Sequence, residues 1–476
     1  MAYIQFLGAA GTVTGSKHLI NLSEDSSGRT GFQVLIDCGL FQGKKEWRER
    51  NWQPSPILPR EIDAVILTHA HLDHSGWIPR LVKEGFSGPI YATAPTIDLC
   101  GVLLPDSGHL QEEDAAFHNK RGSSRHQPAL PLYTMQEAEQ SLQYFRPVEY
   151  GKEIELRPGF SFRFVRAAHI LGSCLVEITL QQNGSQRALL FTGDIGRVRY
   201  NQVAPVKVVR SGPTEGESAD LLVMESTYGN RDHPTSDARP EVARLIKETV
   251  ARGGTVVVPA FAVERTQKLI FLLKDMMDDG EIPPVPVHVD SPMAIRAVNI
   301  FLKYSDEFSD EARELIGKYG SPLAWNGFFF DTKVEDSKKI NQSRFPTIII
   351  SSSGMATGGR VLHHLAQRLP DAKNLVLFIG FQAPGTRGAL IKSGVPGLKI
   401  FGEEIPVRAQ VATLEQFSDH ADTPELLGWL RTFKKNPAIT YLVHGEPAAS
   451  SQLQNAIHSQ LGWNVEVAQW MQKVQV

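Results

Sequence analysis

The first part of the chain alternates short apolar segments with glycine and polar residues. These segments are rich in aliphatic and aromatic side chains, and such runs bounded by turn residues predict β-strands. The stretch SCLVEITLQQNGSQRALLFTGD predicts two strands joined by a hairpin, because Asn183-Gly184 is a strong turn signal between apolar runs. The other predicted strands lie in YIQFLGAA, FQVLIDCG, DAVILTHA, GFSFRFVRAAHILG and ADLLVMESTYGN.

From about residue 230 the pattern changes to an alternation of helix and strand. Helices are predicted in RPEVARLIKETVARGG, ERTQKLIFLLKDMMDDG, SPMAIRAVNIFLKY and RVLHHLAQRL, and strands in TVVVPA, VPVHVD, PTIIISSSG and NLVLFIGFQ. Such alternation predicts a parallel or mostly parallel sheet covered by helices. The C-terminal segments PVRAQVATLEQFSDHAD, TPELLGWLRTFKK and AITYLVHGEP again predict strand, helix and strand.

Length and composition bound the architecture. The 476 residues exceed what one hydrophobic core usually serves, so two domains are expected. A hydrophobic content of 42% is ordinary for a globular protein, and the formal net charge of -3 argues against a broadly basic coat for nucleic acid. The net charge does not exclude a basic channel confined to one part of the surface.

Cysteine usage and the apolar runs indicate the compartment. Cys38, Cys100 and Cys174 lie far apart without Cys-x-x-Cys spacing, so no disulfide scaffold is expected. The N-terminus lacks the charged start and the sustained apolar region of a signal peptide, and no apolar run reaches the roughly 18 residues of a membrane span. We therefore expect a cytoplasmic protein without a membrane partner.

The densest chemical signal is the run LTHAHLDHSG at residues 67–76, which follows the predicted strand AVILT. Its spacing is His-x-His-x-Asp-His, and neutral imidazoles together with a carboxylate are good zinc ligands. The alternatives are a solvated loop and a helix with buried histidines. A solvated loop rarely needs three histidines, and buried histidines would each need a partner, so the run predicts a metal site.

Two further candidate ligands stand at the ends of other predicted strands. His169 lies in RAAHILGS and Asp194 in LLFTGDIG. Taken alone, the histidine also fits a hydrogen-bonded core residue, and the aspartate also fits a turn residue before glycine. Together with the histidine run, the two residues supply imidazoles and a carboxylate placed to bridge two ions.

These segments carry a family resemblance. LTHAHLDHSG, AAHILGS and FTGDIG resemble successive signatures of the metallo-β-lactamase fold, and MESTYGNRDH, FSDHAD and LVHGEP resemble the three extra motifs of its β-CASP branch. That branch includes ribonuclease J and the cleavage endonuclease of eukaryotic pre-mRNA 3′-end processing. The resemblance covers nearly the whole chain in the right order, and it is similar above all to prokaryotic homologues of the processing endonuclease. The segments VPAFAVERTQ, DSPMA, SSSGMATGGR and GFQAPGT resemble the domain inserted in that branch.

The resemblance implies an α/β fold with two domains. An αββα metallo-β-lactamase sandwich is expected from residues 1–229 and 391–476, and an inserted α/β β-CASP domain from residues 230–390.

The resemblance also implies two zinc ions. The first is expected to be held by His69, His71, His169 and Asp194. The second is expected to be held by Asp73, His74, Asp194 and His444, so that Asp194 bridges the ions. Asp37, at the end of the strand in VLIDCG, is expected to orient these ligands from behind them. The alternative for Asp37 is a turn cap before Gly39.

Asp73, Glu225 and His420 are the catalytic residues that the resemblance implies. Glu225 and His420 match the family's paired acid and histidine, and the pair is expected to protonate the leaving sugar oxygen. Their alternative interpretation is a surface ion pair. His444 bears on the substrate, because RNA-cutting members carry histidine at this position and DNA-repair members carry an aliphatic residue.

Phosphates beside the scissile bond also need donors. The segments SSSGM and QAPGT follow apolar strands, where backbone amides and hydroxyl groups can cradle a phosphate. Arg265, Arg360 and Arg387 are further candidates, although each also fits an ordinary surface arginine. The residues expected to contact RNA phosphates in the two segments are Ser352, Ser353, Gly354, Gly385 and Thr386.

The resemblance thus implies a zinc-dependent ribonuclease that hydrolyses phosphodiester bonds of single-stranded RNA by a two-metal mechanism. A DNA nuclease of the same branch, a catalytically inactive RNA-processing scaffold and a small-molecule hydrolase are the alternatives. The sequence leaves open whether cleavage is endonucleolytic or 5′-exonucleolytic, which RNA is cut, and whether the chain forms a homodimer.

Overall fold

A computed structural model describes residues 2–22, 31–122, 127–182, 184–197, 219–234, 236–343, 345–380 and 382–476, with only the backbone of residue 182. Within these ranges the strands, in chain order, are β1 (Tyr3–Phe6), β2 (His18–Leu22), β3 (Phe32–Ile36), β4 (Ala64–Ile66), β5 (Ile90–Ala92), β6 (Phe145–Pro147), β7 (Ile154–Arg157), β8 (Phe160–Arg166), β9 (Cys174–Gln182), β10 (Ser185–Phe191), β11 (Leu221–Glu225), β12 (Val256–Pro259), β13 (Val287–Val289), β14 (Phe328–Phe330), β15 (Ile348–Ser351), β16 (Leu375–Phe378), β17 (Gly397–Ile400), β18 (Glu403–Pro406), β19 (Gln410–Thr413), β20 (Ile439–Val443), β21 (Val465–Val467) and β22 (Lys473–Gln475).

The α-helices of the same ranges are α1 (Lys45–Arg50), α2 (Leu72–Ser75), α3 (Ile78–Lys83), α4 (Ala94–Arg121), α5 (Met135–Ser141), α6 (Arg239–Ala251), α7 (Arg265–Asp278), α8 (Pro292–Lys303), α9 (Asp310–Tyr319), α10 (Val334–Gln342), α11 (Arg360–Arg368), α12 (Arg387–Lys392), α13 (Thr423–Leu430) and α14 (Pro447–Leu461). Among these helices, none combines the length and the apolar character needed to cross a bilayer.

Internal contacts divide the described chain into two units. The first unit contains the described residues of 2–197, 219–232 and 419–476, and the second contains those of 233–418. The first unit is therefore built from both ends of the chain, with the second unit inserted between them.

Two seven-stranded sheets form the centre of the first unit. Their strand orders are β22-β1-β2-β3-β4-β5-β6 and β21-β20-β11-β10-β9-β8-β7. Apolar side chains from both sheets share one buried core, which includes Phe6 and Ile66 from the first sheet and Phe164 and Phe191 from the second. A second core lies between the other face of the second sheet and helices α13 and α14, with Leu426 and Leu453 among its members. Because the two sheets bury apolar faces against each other, this is the expected sandwich arrangement.

The predicted hairpin is present. β9 and β10 pair antiparallel from Ser185 opposite Gln182 to Phe191 opposite Val176. Asn183, one of the two predicted turn residues, lies outside the described residues. β10, β11 and β20 are parallel neighbours, so their carboxyl ends meet at one edge of the second sheet. This edge carries three of the candidate site segments.

The second unit contains the predicted parallel sheet. Its strand order is β14-β13-β15-β12-β16-β19, and every neighbouring pair is parallel. A separate antiparallel pair, β17 and β18, precedes β19. The loops after β12, β13, β15 and β16 consequently share one edge of the sheet, where the predicted phosphate-binding segments lie.

The second unit extends beyond the expected domain boundary at residue 390. β19 pairs in parallel with β16, with Gln410 opposite Leu375 and Thr413 opposite Phe378. The segment containing β19 therefore completes the sheet of the second unit, which ends at Ser418. The sequence pattern predicts a strand here, as the structure shows, but an isolated strand pattern does not indicate which sheet the strand joins.

Candidate metal centre

The histidine run forms a short turn and one helical turn directly after β4. Three backbone hydrogen bonds fix it to neighbouring loops. The amide of Ser16 donates to the carbonyl of Asp73 at 2.8 Å, that of Cys38 to His74 at 2.7 Å, and that of Leu40 to Leu72 at 2.8 Å. The loop before β2 and the loop after β3 are therefore both hydrogen-bonded to helix α2, which carries Asp73 and His74.

The first expected set of metal ligands converges on one point. His71 Nδ1 lies 3.2 Å from His69 Nε2 and 3.2 Å from His169 Nε2. Asp194 Oδ2 lies 3.6 Å from His69 Nε2 and 3.5 Å from His169 Nε2. Ligand atoms at about 2.0–2.1 Å from a tetrahedral zinc ion are themselves about 3.3–3.4 Å apart, so these separations fit one such ion.

The second expected set converges beside the first. His74 Nε2 lies 3.2 Å from His444 Nε2 and 3.3 Å from Asp194 Oδ1. Asp73 Oδ2 completes the group at 3.4 Å from His444 Nε2. β20 supplies His444, because its register with β11 sets Val443 opposite Glu225 at the sheet edge. The structure therefore brings all seven expected ligands together.

Asp194 joins the two sets, since its Oδ2 faces the first and its Oδ1 faces the second. The side chain is 2% exposed, and Oδ1 accepts no well-formed hydrogen bond from any described residue. An unsatisfied buried carboxylate oxygen is costly unless a cation lies next to it. The donor set and this orphaned oxygen fit a metal bound on each side of Asp194.

The protonation states agree with metal binding. Burial lowers the pKa of His69 and His169 well below the ordinary value and that of His71 to about 4, so these imidazoles are neutral at neutral pH. Burial also lowers the pKa of His74, but Asp194 and Asp37 outweigh it and hold this pKa well above the ordinary value. The two carboxylates thus stabilise a positive charge at His74, and either a proton or a metal ion can supply this charge.

Asp37 holds the ligand turn from behind. Its Oδ2 accepts a hydrogen bond from His74 Nδ1 at 2.7 Å and from the Thr68 hydroxyl at 2.9 Å, and its Oδ1 accepts from the Thr68 amide at 2.8 Å. Donation from His74 Nδ1 directs Nε2 toward the metal site, where a metal ion could take the place of its proton. Asp37 therefore has the contacts expected of it, and a turn cap alone does not describe them.

Three hydroxyl groups that the sequence analysis missed also orient ligands. Thr68 Oγ1 lies 3.0 Å from His69 Nδ1, and Thr227 Oγ1 lies 3.0 Å from His444 Nδ1. Ser173 Oγ accepts the amide of His169 at 2.9 Å. Each hydroxyl belongs to a segment that also contains a predicted site residue (LTHAH, ESTYG or HILGS). This closeness along the sequence is the signal from which a supporting role could have been predicted.

Four non-glycine residues around the centre adopt left-handed backbone conformations. They are Ala9 (φ 51°), Asp37 (φ 60°), Ala168 (φ 53°) and His444 (φ 49°). Such conformations cost roughly 1–3 kcal/mol each and persist where the surroundings enforce them. Two of the four are proposed site residues, and Ala168 directly precedes a third. Backbone strain is thus concentrated at, or directly next to, residues of the candidate site.

Glu225 and His420 form a pair on the His169 side of the centre. His420 Nδ1 donates to Glu225 Oε2 at 3.0 Å, while Glu225 Oε1 accepts the amide of Ile195. The His420 ring also lies 4.4 Å from the His169 ring, and its Nε2 lies 3.9 Å from Asp194 Oδ2. Glu225 is fully buried and only 16% of the His420 side chain is exposed, so the pair is not a surface ion pair.

The expected phosphate contacts lie in the second unit. Gln382 Nε2 donates to the carbonyl of Gly354 at 3.0 Å, and the Arg387 guanidinium donates to the carbonyl of Thr357 at 3.1 Å, so the segments after β15 and β16 lie side by side. Thr386 caps α12 by accepting the amide of Ala389. The expected residues share this sheet edge: Ser352, Ser353, Gly354, Gly385 and Thr386.

Comparisons with known proteins agree with this geometry. Family descriptions match residues 28–97 to the metallo-β-lactamase superfamily, residues 266–391 to the Beta-Casp domain, and residues 404–468 to the Zn-dependent metallo-hydrolase RNA specificity domain. Ribonuclease TTHA0252 of Thermus thermophilus is 37% identical over 440 residues, covering 92% of each chain.

Archaeal relatives and one solved structure extend the comparison. Transcription termination factor FttA of Methanocaldococcus jannaschii is 31% identical over 423 residues, which cover 87% of this chain and 63% of that protein. A solved protein of unknown function from Enterococcus faecalis V583 matches the fold with a TM-score of 0.50 at 12% identity, covering 100% of both chains.

The fold and the two ligand sets thus define a metal-dependent hydrolase of the metallo-β-lactamase superfamily. Within that superfamily, the chain belongs to the β-CASP family. The family and the fold class expected from the sequence are confirmed.

We expect Gly39→Ala to disrupt the centre. A Cβ atom at Gly39 would lie 1.6 Å from the carbonyl oxygen of Asp73, so the ligand turn would have to move. Overpacking of this kind typically costs about 1–3 kcal/mol. Thermal unfolding and metal analysis of the variant should show lower stability and lost metal.

The matched control is Gly101→Ala in helix α4, where an added Cβ would lie 4.0 Å from its nearest neighbour, Leu142. Alanine is preferred over glycine inside a helix by roughly 0.5–1 kcal/mol, so this variant should keep its metal and gain slight stability. Normal metal content in Gly39→Ala would contradict the role of this close packing.

Proposed function

We propose that this protein is a two-zinc ribonuclease that hydrolyses phosphodiester bonds of single-stranded RNA. The observation that carries the proposal is the pair of donor sets joined by Asp194, whose two oxygens face different sets. The names of the relatives support RNA as the substrate, since one is a ribonuclease and others are transcription termination factors. Three free, buried cysteines support a cytoplasmic location.

The seven expected ligands would hold two metal ions. Two zinc ions bound there would supply a water of lowered pKa and positive charge to offset the charge on the phosphate in the transition state. His69, His71 and His169 would hold one ion and Asp73, His74 and His444 the other, with Asp194 between them. Asp37 and the hydroxyl groups behind the ligands would keep the imidazole lone pairs aimed at the ions.

Glu225 and His420 would deliver the proton that the leaving sugar oxygen needs. Glu225 accepts from His420 Nδ1, which fixes the ring and leaves Nε2 directed toward the Asp194 side of the centre. A protonated His420 would pass its Nε2 proton to the leaving oxygen and stay bonded to Glu225 through Nδ1. The buried carboxylate would stabilise the imidazolium before that transfer.

His444 supports an RNA nuclease over a DNA nuclease. Its Nε2 lies 3.2 Å from His74 Nε2 and so belongs to the second ligand set, a place that an aliphatic residue cannot fill with a ligand atom. The complete ligand set argues against an inactive scaffold, because such a protein has no need for seven converging donors. The polar loops of the second unit support a role in binding phosphates of a polymer.

We expect protein purified without chelator to contain close to two zinc ions per chain. Elemental analysis measures this number directly. His444→Leu should reduce it to about one, because the first ligand set stays intact, and the exposed histidine variant His458→Leu should retain both ions. A value near zero that zinc addition does not raise would remove the metal centre from the proposal.

Matched end-labelled RNA and DNA oligonucleotides test the substrate. We expect the single-stranded RNA to be cut faster than DNA of the same sequence, and the ladder or mononucleotide pattern will separate endonuclease from 5′-exonuclease action. Equal rates would favour the DNA nuclease. Failure of the zinc-replete protein to cut either strand would favour the inactive scaffold.

His420→Ala should retain both metal ions but lose catalytic rate. General acid catalysis typically contributes about 10²–10⁴-fold, so kcat should fall in that range while RNA affinity changes little. Glu225→Gln should act in the same direction, and the double variant should be little worse than either, because the two residues act as a unit.

The matched control is His109→Ala, which removes an exposed histidine from helix α4. A substrate with a better leaving group should partly rescue His420→Ala, since less protonation is then needed. Near-normal turnover by zinc-replete His420→Ala would leave the pair with a structural role only.

A further inference from the structure

The tryptophans of this chain fall into two groups. Four of the seven are at most 5% exposed: Trp77, Trp325, Trp429 and Trp463. Trp52 is 53% exposed and Trp470 is 45% exposed, while Trp47 is half-buried. All three of these lie on or beside helix α1 of the first unit. A cluster of exposed large aromatic side chains usually marks an interaction surface.

Basic side chains lie against these rings. The Arg50 guanidinium is 4.3 Å from the centre of the Trp470 ring and 5.5 Å from that of Phe41, and Lys44 Nζ is 4.8 Å from the centre of the Trp47 ring. Residues 44–52, KKEWRERNW, contain four basic and two acidic side chains. Positive charge is thus interleaved with aromatic rings, although the whole chain is slightly acidic.

This surface is tied to the same loops as the metal centre. Trp470 Nε1 donates to the carbonyl of Leu7 at 3.2 Å, and two residues further along that loop the carbonyl of Ala9 accepts the amide of His444 at 2.6 Å. On the other side, the loop that leads into α1 is bonded to the ligand turn through Leu40 and Leu72. This surface and the metal ligands are therefore attached to the same loops of one unit.

We propose that this α1 surface (Lys44, Lys45, Trp47, Arg48, Trp52 and Trp470) binds single-stranded RNA next to the metal centre. Bases would stack on the tryptophan rings, and the adjacent lysine and arginine side chains would meet the phosphates. Alternation of ring and cation matches the alternation of base and phosphate along a strand, and a duplex would hide the base faces from such rings. This inference rests on the proposed function.

The test uses the zinc-loaded enzyme and two substrates, a single-stranded RNA of about 20 nucleotides and bis(p-nitrophenyl) phosphate, a phosphodiester too small to reach α1. The double variant W52A/W470A should raise KM for the RNA about tenfold or more with kcat within twofold, the expected size for lost base stacking. Its kinetics on the small phosphodiester should be unchanged. The matched control is Phe345→Ala, which removes a 78% exposed aromatic side chain from the second unit.

Two further measurements test the surface without relying on the double variant. Arg48→Ala keeps every ring, and it should reduce the salt dependence of KM for the RNA by about 0.7 in the log–log slope, as for one lost phosphate contact. Polyuridylate should quench the fluorescence of the tryptophans on this surface in wild-type protein, whereas the four buried tryptophans should not respond, and the quenching should be weaker in Trp52→Ala.

The outcomes separate the surface from the activity. If wild-type protein cuts RNA but W52A/W470A and Phe345→Ala behave alike on it, the α1 surface is overturned and the ribonuclease proposal stands. A loss shared by both substrates would place the damage at the metal centre and also overturn the inference. Equal quenching by anionic phosphatidylglycerol vesicles would indicate a lipid surface instead. If zinc-loaded wild-type protein cuts no RNA, both proposals fail.

Discussion

The structure of the first unit depends on the compensation of one buried carboxylate. Asp194 is 2% exposed, and its two oxygens face two separate groups of imidazoles. A buried charge of this kind is tolerated only when opposite charge lies against it. Nearby histidines hold the pKa of Asp194 well below its usual range despite burial, so the carboxylate stays charged. His74 lies 3.3 Å from Oδ1, and its raised pKa means that either a proton or a metal ion brings positive charge to this side of Asp194.

That arrangement is held by backbone as much as by side chains. Left-handed conformations at Asp37 and His444 and the absence of a side chain at Gly39 let three loops approach more closely than ordinary residues allow. The resulting strain is offset by packing and hydrogen bonds from two complete sheets, which explains why the ligands stand at the ends of strands. The sandwich serves as a rigid frame on which a strained, highly charged set of loops can be held.

The sequence predicted what depends on local pattern and left out what depends on long-range contact. The spacing of the histidine run predicts a metal site, and the ends of predicted strands indicate His169 and Asp194 as further candidates. The alternation of helix and strand predicts the parallel sheet of the second unit. Helix α4 was missed, because Pro105 and several glycines and acids interrupt its apolar pattern. The register that sets Val443 opposite Glu225 could not be read from either strand alone. Burial of Glu225 was equally hidden, since a glutamate at a strand end is usually solvated.

The two ligand sets differ in how far apart their residues lie in the chain. The first set is complete once residues 69 to 194 have folded together, whereas the second needs His444, which is 370 residues from His74, its nearest neighbour within that set. Closing so long a loop costs conformational entropy that local contacts do not offset. The parallel pairing of β11 with β20 supplies that offset, because it buries Leu442 and Val443 in the cores of the second sheet. Insertion of a second unit before β20 is thus compatible with close placement of these candidate ligands, because pairing of β20 with β11 positions His444 whatever the length of the intervening chain.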